Sequence, residues 1–421
     1  MPPPQRIAVL GAGPVGLEAA LYARKLGHRV HVYERGQVGD HLRQFAHLRW
    51  FTPWKMICSP LAAQHLQQLR RGWTLPWDTA PTAREIVEHL LEPLACSPLL
   101  EPCLHLGVRV VGVGRSGLLK TDLPPRHRRA GTPFRLLLQD REGRQWCEEA
   151  DVVLDCTGTF GRPNPLGEGG ISAPGEQECE PFIQRGLPDV LQAQRPQYAG
   201  RRVLVVGGGY SAATTVVALA QLVQQEPGTR VWWATRRVPP EREGPLRRFC
   251  PDPLPLRDQL AQAANRLACA SWPIAYLPGL RVDRLRRTPR GVEVTLIGRD
   301  RQVLEVDTIV SNTGYRGDWS LAEELHLHQC YATQGPIRLA ASLLKETSPD
   351  CLQQPQTEAD VLKTPEPGFF VLGAKSYGRN SQFLLRQGWR QVRDVFRLLH
   401  GDPRLDLYQP KTVETGTPPH E

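Results

Sequence analysis

Two glycine-rich turns of one design, Gly11-Ala12-Gly13-Pro14-Val15-Gly16 and Gly207-Gly208-Gly209-Tyr210-Ser211-Ala212, each follow a short apolar run and lead into a stretch of helical periodicity. The runs Arg6-Ile7-Ala8-Val9-Leu10 and Arg202-Val203-Leu204-Val205-Val206 read as buried parallel strands. Val15, Ala19, Tyr22, Ala23 and Leu26 mark one face of the first helix, and Ala213, Val216, Val217, Ala220 and Val223 one face of the second. In such a turn the first glycine permits a tight reversal and the second lets backbone approach a pyrophosphate. The third position must be small for helix and strand to pack, a role Ala212 can fill. The following helix points free N–H groups and its positive dipole end at the ligand. A pair of such turns implies a pair of bound nucleotides.

A second repeat runs in step with the first. Glu149-Ala150-Asp151-Val152-Val153-Leu154-Asp155-Cys156-Thr157-Gly158 resembles Glu305-Val306-Asp307-Thr308-Ile309-Val310-Ser311-Asn312-Thr313-Gly314, and both end in Thr-Gly. Alternating strand-like stretches precede each, at 134–140 with 145–149 and at 292–297 with 302–306. Each half therefore reads as a mononucleotide fold with a small antiparallel insert, used twice. The expected class is α/β with two Rossmann-like dinucleotide-binding domains.

The halves part at the end of the second strand, where the adenosine ribose is met. His28-Arg29-Val30-His31-Val32-Tyr33-Glu34 ends on a carboxylate 23 positions after Gly11. Such a group accepts hydrogen bonds from ribose hydroxyls and repels a 2′-phosphate, which favours FAD or NAD over NADP. Arg230-Val231-Trp232-Trp233-Ala234-Thr235-Arg236-Arg237 ends instead on two guanidiniums, which suit a 2′-phosphate and favour NADPH over NADH.

With these residues the chain resembles the two-dinucleotide-binding-domain flavoproteins, a group of FAD- and NAD(P)H-dependent oxidoreductases that includes disulfide reductases, flavin-containing monooxygenases and N-hydroxylating monooxygenases. The likeness spans roughly residues 5–400. It implies an FAD domain over 1–165, an inserted NAD(P)H domain over 166–309, a return to the FAD domain over 310–400 and a surface tail over 401–421. It implies cofactor contacts at Gly11, Gly13, Pro14, Val15, Gly16, Glu34, Arg35, Arg43, Val110, Thr157, Gly158, Gly207, Gly209, Tyr210, Ser211, Ala212, Arg236, Arg237, Thr313, Gly314 and Gly373. Gly368-Phe369-Phe370-Val371-Leu372-Gly373-Ala374 looks like the late flavin-domain strand, with a helix over 382–399 beside the flavin. Where the group carries an acid just after that strand's glycine, this chain has Ala374-Lys375.

The segment 39–55 interleaves aromatics, histidines and arginines; Arg43, His47, Arg49 and Trp54 are candidates for flavin or substrate contacts, against a reading in which Trp50, Phe51 and Trp54 fill the core. Lys375, Ser376, Tyr377 and Arg379 form a second set. Ten cysteines include no C-x-x-C or C-x-x-x-x-C pair, and Cys58 alone sits where a single-cysteine reductase might keep its thiol. The stretch 198–207 resembles the lead-in to the nucleotide turn of flavin-containing monooxygenases. The F-x-G-x-x-x-H fingerprint of that group is missing, since residues 164–198 hold no histidine.

A net charge of +9 comes from scattered basic residues without a zinc, helix-turn-helix or aromatic-plus-basic module, which argues against nucleic acid. No run of about 18 apolar residues offers a membrane span, no metal set is apparent, and the expected place is the cytoplasm. The leading expectation is an FAD enzyme that takes hydride from NADPH and oxygenates a small organic substrate with molecular oxygen. A single-cysteine thiol or electron-transfer reductase and a non-catalytic nucleotide-binding regulator stand as alternatives; no motif specifies the substrate or the oligomeric state.

Overall fold

Continuous apolar runs, rather than alternating ones, build the central strands, because helices or further strands cover both faces of each sheet. The computed structural model describes residues 3–240, 243–270, 272–345, 348–354 and 357–409. β1 (Arg6–Leu10), α1 (Pro14–Lys25) and β2 (Arg29–Glu34) form the first parallel unit. α1 starts with Pro14 at its first turn, a place where the missing N–H costs nothing, and every residue from Val15 to Ala23 is buried. Each large apolar side chain sealed there contributes about 1.5–3 kcal/mol.

β3 (Leu104–Leu106) lies outside β2. A three-stranded antiparallel insert follows, β4 (Arg109–Arg115), β5 (Phe134–Gln139) and β6 (Gln145–Ala150), before β7 (Val152–Asp155) returns to pair with β1. The second domain repeats this plan. β8 (Ile183–Arg185), β9 (Arg202–Val206), α2 (Tyr210–Gln225), β10 (Arg230–Thr235), α3 (Pro255–Cys269) and β11 (Ile274–Pro278) precede the antiparallel insert β12 (Arg281–Thr288), β13 (Gly291–Ile297) and β14 (Arg301–Val306). β15 (Thr308–Ser311) then pairs with β9. The chain crosses back to add β16 (Phe369–Val371) beside β7 and ends in α4 (Leu385–His400).

The two parallel sheets have matching orders, β16-β7-β1-β2-β3 and β11-β10-β9-β15-β8 read in opposite directions. Even a charged clasp is duplicated. Arg6 pairs with Asp151 (2.7 Å) and Glu149 (3.3 Å), while Arg202 pairs with Asp307 and Glu305 (2.8 Å each), so the same three residues tie the root of the first strand to the return strand in each half. The passages between domains run side by side. Pro163 bridges antiparallel to Tyr315, Asn164 N–H donates to Gly314 O (2.9 Å) and Arg316 N–H to Arg162 O (3.0 Å). β15 spans residue 309 and takes the second sheet to Ser311.

The first part of the tail lies against the body of the protein, half-buried. Leu405, Leu407 and Tyr408 pack on the first core, Tyr22 Oη accepts from Leu407 N–H (3.0 Å), and Tyr408 Oη donates to Trp389 O (3.1 Å). Three apolar side chains without periodicity are too few to register as a sequence pattern, yet they cover α1 and α4. The rest of the expected tail, 410–421, lies outside the described residues. Among the described residues no helix is long and apolar enough to cross a membrane.

Candidate functional site

Both glycine turns open onto one continuous cleft of about 2570 Å³ between the domains. A single small-molecule site occupies roughly 300–1,000 Å³, so the space suits more than one extended ligand. At the first turn Gly11 takes φ +99° and a Cβ there would stand 2.9 Å from Cys156 O, while a Cβ on Gly13 would meet nothing within 4 Å. The second turn repeats the division: a Cβ on Gly207 would run into Asn312 O, and Gly209 faces open space. The first glycine of each turn is thus demanded by the protein, and the second leaves room for a ligand to reach the backbone. Gly16 and Ala212 stay out of the cleft; a side chain on Gly16 would strike Gly11 O, and Ala212 is fully buried. They act through helix–strand packing.

The ends of the second strands differ in charge. Glu34 lines the cleft with its carboxylate held by two backbone donors, Ala12 N–H (2.9 Å) and Gly36 N–H (2.8 Å), with acceptor lone pairs to spare. Arg236 and Arg237 line the other end, both exposed. Thr235 Oγ1 bonds Arg237 O (3.0 Å) and Tyr276 Oη (2.9 Å), and Trp233 Nε1 donates to Gly207 O (2.8 Å), so buried side chains fix the turn and the strand end together.

Pro14, Val15, Arg35, Arg49, Val110, Thr157, Gly158, Tyr210, Ser211, Thr313, Gly314 and Gly373 also line the cleft. Arg35 reaches His41 Nε2 (3.0 Å), and Arg49 donates to Ala80 O beside Glu85 (3.9 Å). Three expected contacts fall elsewhere. Arg43 is spent on Glu92 (2.5 Å) and Val38 O (3.0 Å) and does not line the cleft. His47 is exposed outside it. Cys58 is buried beside Glu18 away from the cleft, and burial with that neighbouring carboxyl pushes its thiol well up, the opposite of what a reactive thiolate needs. Trp54 is core, whereas Trp50 and Phe51 face the cleft.

Lys375 supplies the chemistry at the departure after Gly373. Its Nζ lies 2.5 Å from Asp155 Oδ2 with both side chains fully buried, 3.2 Å from Thr157 Oγ1 and 4.8 Å from the Trp319 ring centre. Asp155 Oδ1 in turn accepts from Thr157 N–H (3.1 Å) and Oγ1 (2.6 Å). The lysine thus turns away from the cleft and braces the first Thr-Gly turn from behind. Ser376 and Gln391 hold Gly373 in the same way, through Ser376 Oγ to Gly373 O (2.7 Å) and Gly373 N–H to Gln391 Oε1 (2.8 Å). Of that set only Arg379 faces the cleft.

An aromatic wall escaped the sequence reading: Phe160 lies 4.9 Å from Tyr315, 5.3 Å from Phe45 and 5.9 Å from His41 between ring centres, and all four line the cleft. Phe160 and Tyr315 each follow a Thr-Gly repeat at nearly the same distance, the one signal that could have paired them. All ten cysteines are free, and among the described residues no three His, Cys, Asp or Glu side chains are placed to hold a metal.

Residues 1–46 match the family described as pyridine nucleotide-disulphide oxidoreductase. No curated protein matches the sequence. Among solved structures, a bacillithiol disulfide reductase from Bacillus cereus superposes with TM-score 0.63 at 17% identity, over 95% of this chain and 99% of that one. An FAD-bound cadaverine monooxygenase from Erwinia amylovora gives 0.63 at 14%, over 99% and 98%. An ornithine N-hydroxylase from Kutzneria sp. 744 gives 0.59 at 16%, over 95% and 99%. Reductases and monooxygenases lie equally near on this measure. The duplicated sheets, the paired turns and these superpositions together give the chain the two-dinucleotide-binding-domain fold of FAD- and NAD(P)H-dependent oxidoreductases.

Proposed function

We propose that the protein is an FAD-dependent oxidoreductase that takes hydride from NADPH and oxygenates a small organic molecule. The observation that carries the reading is a single cleft with a carboxylate at one nucleotide turn and two guanidiniums at the other. Bound flavin would supply the redox chemistry, accepting hydride from the reduced nicotinamide and passing electrons to oxygen. The chain's own part is to bind and aim. Gly13 and the start of α1 receive the flavin's pyrophosphate, Glu34 its ribose, and Lys375 with Asp155 keeps the Thr157–Gly158 turn rigid beneath it. Arg236 and Arg237 take the 2′-phosphate of NADPH, and Phe160, Tyr315 and Phe45 help keep water from the space between.

A single-cysteine reductase built on Cys58 is disfavoured, because that thiol lies outside the cleft and is pushed well up by burial; Cys156 and Cys351, which do line the cleft, are likewise pushed up by burial, and Cys269 stands exposed at its lining without a second cysteine to pair with among the described residues. The substrates named for two superposed enzymes, ornithine and cadaverine, make small amines the first compounds to try.

The test is the visible spectrum of FAD-loaded protein under nitrogen before and after NADPH or NADH. Bleaching by NADPH is expected; a flavin that stays oxidised with both would leave a nucleotide-binding regulator as the better description. Arg236→Ala combined with Arg237→Ala should weaken NADPH by about tenfold or more while changing NADH little. Equal losses, measured as KM for each nucleotide, would remove the assignment of the second site.

A further inference from the structure

Residues Ser348–Gln354 form a strap that is bonded to one domain at both ends and to the other at its middle. Gln382, on the loop before α4, donates from Nε2 to Ser348 O (3.3 Å) and accepts from Gln354 Nε2 (3.1 Å at Oε1, 3.2 Å at its carbonyl). Tyr377 Oη donates to Gln354 Oε1 (2.9 Å), and Tyr377 belongs to the first core. At the middle, Asp350 Oδ1 accepts from Arg257 Nη1 (2.8 Å), near the start of α3 in the second domain. Arg257 is 4% and Asp350 5% exposed. Arg257 also forks onto Asp252 of its own domain through Nε and Nη2 (2.8 Å each).

This tie sits beside the second nucleotide turn. Pro349, Cys351 and Arg257 line the cleft together with Tyr210, the first residue of α2. On its other side Tyr210 meets Phe51 of the first domain, with ring centres 5.5 Å apart. A guanidinium and carboxylate paired away from water across a domain junction are little screened and hold one geometry more firmly than a solvated pair would. Exposed pairs across the same junction would yield to solvent and salt.

We propose that Asp350 and Arg257 are positioning residues that lock the second domain onto the first, so that nicotinamide bound at the Gly207–Ala212 turn already faces the flavin side of the cleft. This rests on the functional reading above. Removing Asp350 leaves Arg257 matched by Asp252, so the second domain keeps its own ion pair while the cross-domain tie is lost. Neither residue touches the reacting atoms; the effect passes through the placement of the turn.

The experiment uses the FAD-loaded full chain and three readouts: anaerobic flavin reduction by saturating NADPH, the Kd of NADP⁺, and maleimide labelling of the Cys351 peptide followed by mass spectrometry. Cys351 Sγ lies 3.5 Å from Arg257 Nη1 and is half-buried, so its labelling reports release of the strap. Asp350→Asn is expected to slow reduction by about tenfold or more with NADP⁺ affinity within about twofold, the split of a geometric rather than a binding defect. Cys351 should label faster while the exposed Cys269 does not change. Asp350→Glu should recover most of the rate, and Gln382→Ala combined with Tyr377→Phe, which removes three of the four hydrogen bonds described above between the strap and the first domain, should reproduce the faster labelling. Reduction of Asp350→Asn at the wild-type rate, or unchanged Cys351 labelling in both variants, would overturn the proposal. Wild-type flavin that NADPH fails to reduce would instead sink the functional reading, and labelling alone would then decide the tie.

Discussion

Glu18 is a carboxyl inside a helix whose inner face and both flanks are covered, and burial, opposed only in part by the Ser59 hydroxyl (2.8 Å), raises it from an ordinary 4.5 to about 7. A group raised on folding binds its proton more tightly in the folded state. Its contribution to stability is therefore complete below about pH 4.5 and is lost as pH climbs through 7. Glu18→Gln should stabilise the protein by about 3 kcal/mol at pH 8 and change little at pH 5, as read from urea midpoints at the two values. Lys375 presents the opposite hazard, an ion pair with no solvent on either side. Lys375→Met should cost about 3–5 kcal/mol by stranding Asp155, and adding Asp155→Asn should return more than half of that in the same denaturation assay. Neither environment was legible in the sequence. Glu18 stands three residues after Val15 and four before Tyr22, at the border of the apolar face of its helix, but the groups that close over it, Ser59 and Tyr408, lie far along the chain. Lys375 was visible as a departure from its relatives, but its inward turn depends on Asp155, 220 residues away.

Strand–turn–helix elements were the most readable because their requirements are local: an apolar run, a glycine where φ must be positive, a small third residue. The copies allow a clean test. Gly207→Ala drives a methyl group into Asn312 O at φ +146° and should weaken NADPH binding by about tenfold or more while the FAD content of the purified protein stays full. The antiparallel inserts were equally legible, since alternation and turn residues are also local, and even their irregularities match, with a register shift between Val110 and Gly112 in one and between Val282 and Arg284 in the other. Loops were not. Arg43, His47 and Cys58 follow Glu34 closely in sequence, but what a loop residue faces is set by its distant partners, Glu92 for Arg43 and Glu18 for Cys58.

Across the whole molecule, the positive charge gathers where two anionic cofactors would lie. Among the described residues twelve arginines line the cleft, Arg35, Arg49, Arg236, Arg237 and Arg379 among them, against five carboxylates. Fields of this kind raise the local concentration of a polyanion and are screened over about 10 Å at 0.1 M salt and about 3 Å at 1 M. KM for NADPH should therefore rise severalfold between low and high ionic strength while kcat holds, and NADH, lacking the 2′-phosphate, should respond less. Steady-state titrations at several sodium chloride concentrations separate the two nucleotides. A further consequence lies in the ribbon formed by Arg162–Asn164 and Gly314–Arg316. Because the polypeptide leaves the second domain within hydrogen-bonding reach of where it enters, the covalent link is one two-stranded stalk, and the Arg257–Asp350 tie and the Tyr210–Phe51 contact are made through side chains alone. Splicing residue 162 to residue 316 through a short glycine linker should excise that domain as a free-standing cassette, with both the remnant and the excised piece still able to fold.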